Sequence, residues 1–169
     1  PALDLAPTAA GDPALGPIVT RAVRRRRFAV LATTSAAGRS HAAGVLYQVA
    51  GGRLWISTFG ESRKARNVAE TGTVGLTVPV RRLPVGPPAS VQLQAAATVV
   101  GTDDPELLEL AAAGALKRIT AHGELELPGG CFIRVELPRR VPVYGLGMSI
   151  LEFVRHPLEA GRTALVDWT

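Results

Sequence analysis

Leu54-Trp55-Ile56-Ser57-Thr58-Phe59-Gly60-Glu61-Ser62-Arg63-Lys64-Ala65-Arg66-Asn67 changes its pattern halfway along. Leu54 and Ile56 alternate against Trp55 and Ser57, which is the period of a strand. Ser62 then suits a helix N-cap, because its hydroxyl can accept a hydrogen bond from an otherwise orphaned backbone N–H. A short helix over residues 62–70 follows. Arg63 and Lys64 fall in its first turn, where the positive end of the helix dipole disfavours cations. A sequence that breaks a local rule in this way marks a site. A bound anion removes the conflict: free N–H groups, a serine hydroxyl and two cations make a pocket suited to phosphate. The plainer alternative is that Glu61 offsets the charge and the cations face water.

Outward from this turn the pattern is that of β structure. Downstream, Val74, Leu76, Val78 and Val80 alternate with Thr73, Gly75 and Thr77. Upstream, Arg53–Thr58 is joined through Gly51-Gly52, a strong hairpin signal, to a strand over His41–Val49. Ala37-Gly38 marks the turn before that, and Phe28–Thr34 is an almost wholly apolar strand. A Pro/Arg-rich loop at residues 81–88 leads to a long strand from Ala89 to about Gly101. Asp104 and Pro105 then open a helix reaching about Ile119, and Cys131–Leu137 alternates once more. Six strands joined mainly by hairpins, with helices inserted at turns, predict a mainly β fold with an antiparallel barrel. Several strands are apolar on both faces and need cover from helices or another subunit.

The ends are organised differently. Residues 1–14, rich in Pro, Ala and Gly, read as a flexible arm. Gly16-Pro17 opens a helix through Arg26, and Arg24–Arg27 complement its C-terminal dipole. After Val143 the chain is Gly-rich, weakly helical over 149–155, then irregular. No linker divides it: a barrel domain over 15–143 carries the arm in front and an extension over 144–169 behind.

Composition bounds the function. Hydrophobic residues at 47% and charged residues at 20% describe a folded globular chain. The net charge of +5 rests on 17 arginines and two lysines and favours anionic ligands. Cys131 is the only cysteine, so no intrachain disulfide forms; its alternating context predicts a packed thiol. No apolar run is long enough for a transmembrane helix. Arg24–Ala32 superficially resembles a twin-arginine leader, but its apolar part is short and starts inside the chain. A cytoplasmic protein is expected, with no membrane insertion.

The order and spacing of three segments resemble the FMN-binding split β-barrel of the pyridoxamine 5′-phosphate oxidase-like superfamily. The first is Phe28–Thr33 followed by Gly38-Arg39-Ser40-His41. The second is Val45-Leu46-Tyr47, then the Gly51-Gly52 hairpin and Leu54–Thr58. The third is Ser62–Asn67 followed by Thr73–Val78. The similarity covers roughly 18–143 and is most specific over 28–78. It implies a six-stranded antiparallel split β-barrel with a cofactor at a homodimer interface. The backbone of Gly44, Val45, Leu46 and Tyr47 would flank the ring system, while Thr58, Ser62, Arg63 and Lys64 would hold the phosphate. Two departures speak against vitamin B6 oxidation. Ala42-Ala43-Gly44 stands where the true oxidases have an arginine, and Leu165–Thr169 lacks their Arg/His motif. Related actinobacterial enzymes use the deazaflavin coenzyme F-420, whose acidic tail Arg66, Arg81 and Arg82 could meet. FMN and F-420 both remain open.

No side-chain catalyst is recognisable. His41, His122 and His156 are far apart and none has metal-ligand spacing to Cys or Glu, so no metal is expected. No nucleophile elbow or Walker-type loop is present. This suits a flavin- or deazaflavin-dependent oxidoreductase, where the cofactor carries the chemistry and a hydride passes to or from a small, apolar substrate. The alternative is a non-catalytic binder of a flavin, deazaflavin or haem-like ligand. Nucleic-acid binding through Arg24–Arg27 lacks the aromatic stacking surface that single strands need.

Overall fold

The computed structural model describes residues 11–80 and 89–169. Most of the expected arm and the whole 81–88 loop, with Arg81 and Arg82, lie outside the described residues. Helix α1 (Gly16–Arg25) is followed by β1 (Phe28–Thr34), β2 (Ser40–Leu46), β3 (Gln48–Ala50) and β4 (Arg53–Phe59). Then come α2 (Arg63–Thr71), β5 (Thr73–Val80), β6 (Ala89–Gly101), α3 (Pro105–Ala112) and α4 (Lys117–Thr120). The chain ends with β7 (Gly130–Glu136), β8 (Arg140–Tyr144), α5 (Ile150–Arg155) and β9 (Gly161–Leu165).

The main strand order is β2-β1-β5-β6-β7-β4-β3, with β8 beside β6 and β9 beside β8. Every pairing between these strands is antiparallel. Strand β6 is the corner. Its residues 89–96 pair with β5, and from Ala97 to Gly101 it pairs with β7. The sheet curls there, and the mainly β split-barrel fold expected from the sequence is what forms.

Alternation decides the core. Ala29 and Leu31 of β1, Val74, Leu76 and Val78 of β5, and Val91 and Leu93 of β6 all point inward, as do Ile133 and Val135 of β7. Val19 and Val23 of α1 are fully buried against this cluster. Each such side chain contributes about 1.5–3 kcal/mol on burial. Strands β4 and β7 are buried on both faces because α3 and α4 cover their outer side. There Trp55 and Phe132 pack with Leu107, Leu116 and Ile119. Among the described residues no helix covers the outer face of β1 and β2, and Phe28, Val30 and Leu46 are exposed on it.

Four details differ from the sequence reading. The stretch His41–Val49 is two strands: β2 pairs with β1 through Leu46, and β3 pairs with β4 from Gln48. The helix expected up to Ile119 breaks at Gly114, whose φ of +72° suits only glycine well. The chain after Leu137 is more regular than expected, since β8 and β9 bring the strand count among the described residues to nine. The tail is held in place: Trp168 is buried, its Nε1 donates to Pro138 O at 2.8 Å, and Arg24 Nη2 donates to Trp168 O at 2.5 Å.

Candidate functional site

Ser62 is the N-cap of α2, with extended backbone (φ −67°, ψ 148°) and Oγ accepting from Ala65 N at 3.3 Å. Arg66 N–H donates to Ser62 O at 3.0 Å. A helix start has no intrahelical acceptors for its first N–H groups, so those of Arg63 and Lys64 are left for water or a ligand. No acidic side chain occupies the first turn of α2. Thr58, buried on β4, places Oγ1 3.3 Å from Ser62 Oγ. The turn between them is clamped by Gly60 N donating to Gly129 O at 3.0 Å and Ser62 N donating to Phe59 O at 3.0 Å. Thr58 and Ser62 therefore come together as a hydroxyl pair beside a positive helix end.

The two cations diverge from there, since adjacent helical residues are about 100° apart. Lys64 faces the β4–β7 side. Thr58 is paired across the strands with Cys131; burial pushes the Cys131 thiol up, and the Lys64 charge offsets part of that rise. Arg63 instead lines a cleft of ≈ 670 Å³ between α2 and the β1–β2 turn. Arg66, Asn67 and Glu70 continue the same helix stripe, and Arg39 and His41 close the opposite wall.

That cleft has fixed walls. Asn67 is buried and its Nδ2 donates to Thr33 Oγ1 at 3.0 Å, which pins α2 to β1. Glu70 Oε2 accepts from Ala36 N at 3.0 Å, which holds the β1–β2 turn against the helix. His41 Nδ1 is buried without a hydrogen-bond partner. Of the residues that line this cleft, the sequence singles out Arg63 and Arg66. The 63/66/67/70 spacing marks a helix stripe, but nothing local ties it to Arg39 and His41.

The expected ring-flanking segment lies on and just after β2. Gly44 is exposed and paired with Val30, and a Cβ there would lie 2.8 Å from Phe28 Cε2. Leu46 is 62% exposed, whereas Val45 and Tyr47 point into the core. Tyr47 donates its hydroxyl to Val23 O at 2.7 Å, and burial holds its phenol well above the ordinary value, against partial offset by Arg26 and Arg118. Val45 and Tyr47 are closed to solvent, and the Tyr47 N–H is given to Arg27 O at 2.8 Å; Gly44 and Leu46 present the outer surface of this segment.

The fold is shared with solved structures that are distant in sequence. The haem storage protein HutZ of Vibrio cholerae is 18% identical, with a TM-score of 0.65 over 79% of this chain and 96% of that one. A haem-binding protein of Mycobacterium smegmatis is 20% identical with a TM-score of 0.64; the match covers 83% of this chain but only 57% of that longer protein. An FAD-binding protein of Mesorhizobium loti is 16% identical with a TM-score of 0.61, over 75% of this chain and 90% of that one. No curated relative matches the sequence. The family model for pyridoxamine 5′-phosphate oxidase matches residues 17–139, well over half of the chain. On that match, with the split-barrel topology described above, the chain belongs to the pyridoxamine 5′-phosphate oxidase family.

Proposed function

We propose that this protein is a flavin- or deazaflavin-dependent oxidoreductase whose cofactor, FMN or coenzyme F-420, anchors its phosphate at the start of α2. The observation that carries this is the Ser62-capped helix end with a cationic first turn and no acidic residue in it. The donor set fits a phosphate: the Arg63 and Lys64 N–H groups and the Thr58 and Ser62 hydroxyls, with one side-chain cation to either side of the helix end. Gly44 leaves the β2 backbone bare beside the exposed Phe28 ring, which lies where a Cβ at 44 would stand; a flat ring laid on this face would stack near Phe28. The bound ring would supply the hydride chemistry. The protein's part is to hold the phosphate, to present the β2 backbone to the ring and to exclude water from that face.

Water exclusion points to a homodimer. Phe28 and Leu46 are paired neighbours and Val30 lies two residues further along on the same side, all exposed on a face that no helix among the described residues covers. A second copy over that face would bury them and wall the ring site. A small, apolar substrate is the one such a wall favours.

The test is an absorbance spectrum followed by titration with FMN and F-420, for the natural sequence and for Lys64→Ala. Loss of one charged hydrogen bond to phosphate weakens binding by about 1.5–3 kcal/mol, or ten- to a hundredfold. Equal affinity in the variant refutes the anion turn. Bound cofactor that no donor or acceptor can reduce or oxidise refutes the enzyme.

A second reading has one observation of its own. His41 shares the cleft with Arg39, Arg63 and Arg66, an imidazole among cations that suits a haem and its two carboxylates, and two similar folds are described as haem proteins. A Soret band that shifts on Arg39→Gln while FMN and F-420 fail to bind would favour it.

A further inference from the structure

We infer that the cleft between α1 and the end of β5 binds a free anionic amphiphile, a carboxylate on a single apolar chain. The site shares no residue with the α2 turn and does not depend on the cofactor reading. The cleft spans ≈ 660 Å³, with Ile18, Arg21, Arg25, Arg26, Val80 and Leu146 among its lining residues. That is the size of a small-molecule site. It combines an apolar floor with a cationic rim. Val80 and Leu146 are buried, Ile18 is 43% exposed, and Arg21 and Arg25 stand in solvent. Among the described residues no acidic side chain lines it.

The helix wall is built for this and held in place. Ile18, Arg21, Ala22 and Arg25 are spaced i, i+3, i+4 and i+7, one stripe of α1, while Val19 and Val23 are buried in the core. Arg24 Nη2 donates to Trp168 O and Thr20 Oγ1 to Asp167 O at 3.3 Å, which fixes the rotation of the helix. Arg21 and Arg25 are like charges one turn apart, an arrangement that destabilises a helix. Helix α1 has no acidic residue to offset them. Among the described residues neither guanidinium has an ion-pair or hydrogen-bond partner. Arg25 complements the C-terminal dipole, but Arg21 lies before the last turn and gains nothing there. The floor is equally fixed, since Arg162 Nη2 donates to Leu146 O at 2.7 Å and Gly145 N to Ala160 O at 2.8 Å.

Charge and shape together select the occupant. A bare anion uses the rim and leaves the floor wet. A nucleic-acid strand needs a stacking surface, and among the described residues no aromatic side chain lines the cleft. A bilayer needs apolar side chains that project, whereas Val80 and Leu146 are recessed, with 8% and 2% of their surface exposed. One chain ending in a carboxylate answers both parts. Its methylenes cover Ile18, Val80 and Leu146, and its carboxylate accepts charge-assisted hydrogen bonds from the arginines of the rim.

The test is calorimetric titration below micelle-forming concentrations with hexanoate, octanoate, decanoate, decanol and decyltrimethylammonium. It is run on the natural sequence, on Arg21→Gln/Arg25→Gln and on Ile18→Ser. All three substituted residues are exposed, and a thermal melt confirms folding. Decanoate should bind at least about tenfold tighter than decanol, the scale of one charge-assisted hydrogen bond, and the ammonium should not bind. From hexanoate to decanoate affinity should rise about fourfold per buried methylene. The double arginine variant should bring decanoate down to decanol and leave decanol unchanged, while Ile18→Ser weakens decanoate more than hexanoate. Amide shifts induced by decanoate should fall on residues 18–26 and 145–147. No binding of decanoate, equal binding of decanol, a flat chain-length series, or shifts confined to residues 28–46 each overturn the inference. So does arginine-dependent binding of phosphatidylglycerol vesicles or an oligonucleotide by a protein that ignores decanoate, because the cleft then serves a surface or a strand instead.

Discussion

Replacing Tyr47 with Phe separates a packing role from a ligand role at a residue that the family resemblance puts beside the ring. The Tyr47 hydroxyl is 2.7 Å from Val23 O, a carbonyl in the last turn of α1 that the helix leaves without an acceptor role of its own. Tyr47→Phe keeps the ring volume but removes this hydrogen bond and strands the carbonyl in the core. The combined cost is about 1–3 kcal/mol, which lowers Tm by roughly 2–12 °C for a chain of this size. The substitution also removes a titration. Burial holds the folded-state phenol above its ordinary 10.0, so between those two values the folded state keeps a proton that the unfolded state releases. Stability from this group is therefore complete below about pH 10 and falls above it by about 1.4 kcal/mol per pH unit. Phe has no such loss. Urea unfolding at pH 7, 9, 10.5 and 11 should show the natural protein ahead by a constant margin up to about pH 10, and that margin shrinking beyond it. A margin of zero at pH 7, or one that stays flat to pH 11, refutes the reasoning. So does a variant of unchanged stability that has lost its cofactor, because that would move the side chain out of the core and onto the ligand.

Asn67→Ala should cost about 1–3 kcal/mol in urea unfolding, because Thr33 Oγ1 is left buried without its donor; an unchanged midpoint would separate α2 from β1. Cys131 should react slowly with iodoacetamide at pH 8 and quickly once unfolded, since burial raises its pKa, and Lys64→Ala should slow the folded-state reaction further by removing the offsetting charge. Leu46→Glu puts a charge on the exposed face of β2 and should turn a dimer into a monomer by light scattering with little change in monomer stability. A natural protein that is already monomeric at micromolar concentration removes that interface.

What was legible in the sequence was what is local. The Ser62 cap shows in the chain because a serine, its helix and the misplaced cations are consecutive, and the structure forms that cap at the predicted residue. The barrel shows because alternation in β5 reports which side of that strand is wet, while an apolar run marks β1 and the Gly51-Gly52 turn marks β4. Alternation does not report which strand is the partner. It runs unbroken from β2 into β3, yet Tyr47 N–H donates to Arg27 O at 2.8 Å and the next residues leave β1 for β4. Strand β6 makes the reverse case, staying one strand while its partners change at Ala97.

The same limit explains the cleft. Arg63 and Lys64 read as one phosphate clamp because they are adjacent, but a helix sends adjacent side chains to different sides. Arg39 and His41 reach Arg63 and Arg66 only because Asn67 and Glu70 dock the β1–β2 turn onto α2. Two hydrogen bonds to residues more than thirty positions away thus decide whether the arginines of α2 stand alone in water or share one concave wall. A cofactor with one anionic group needs only the helix end, which the local sequence specifies.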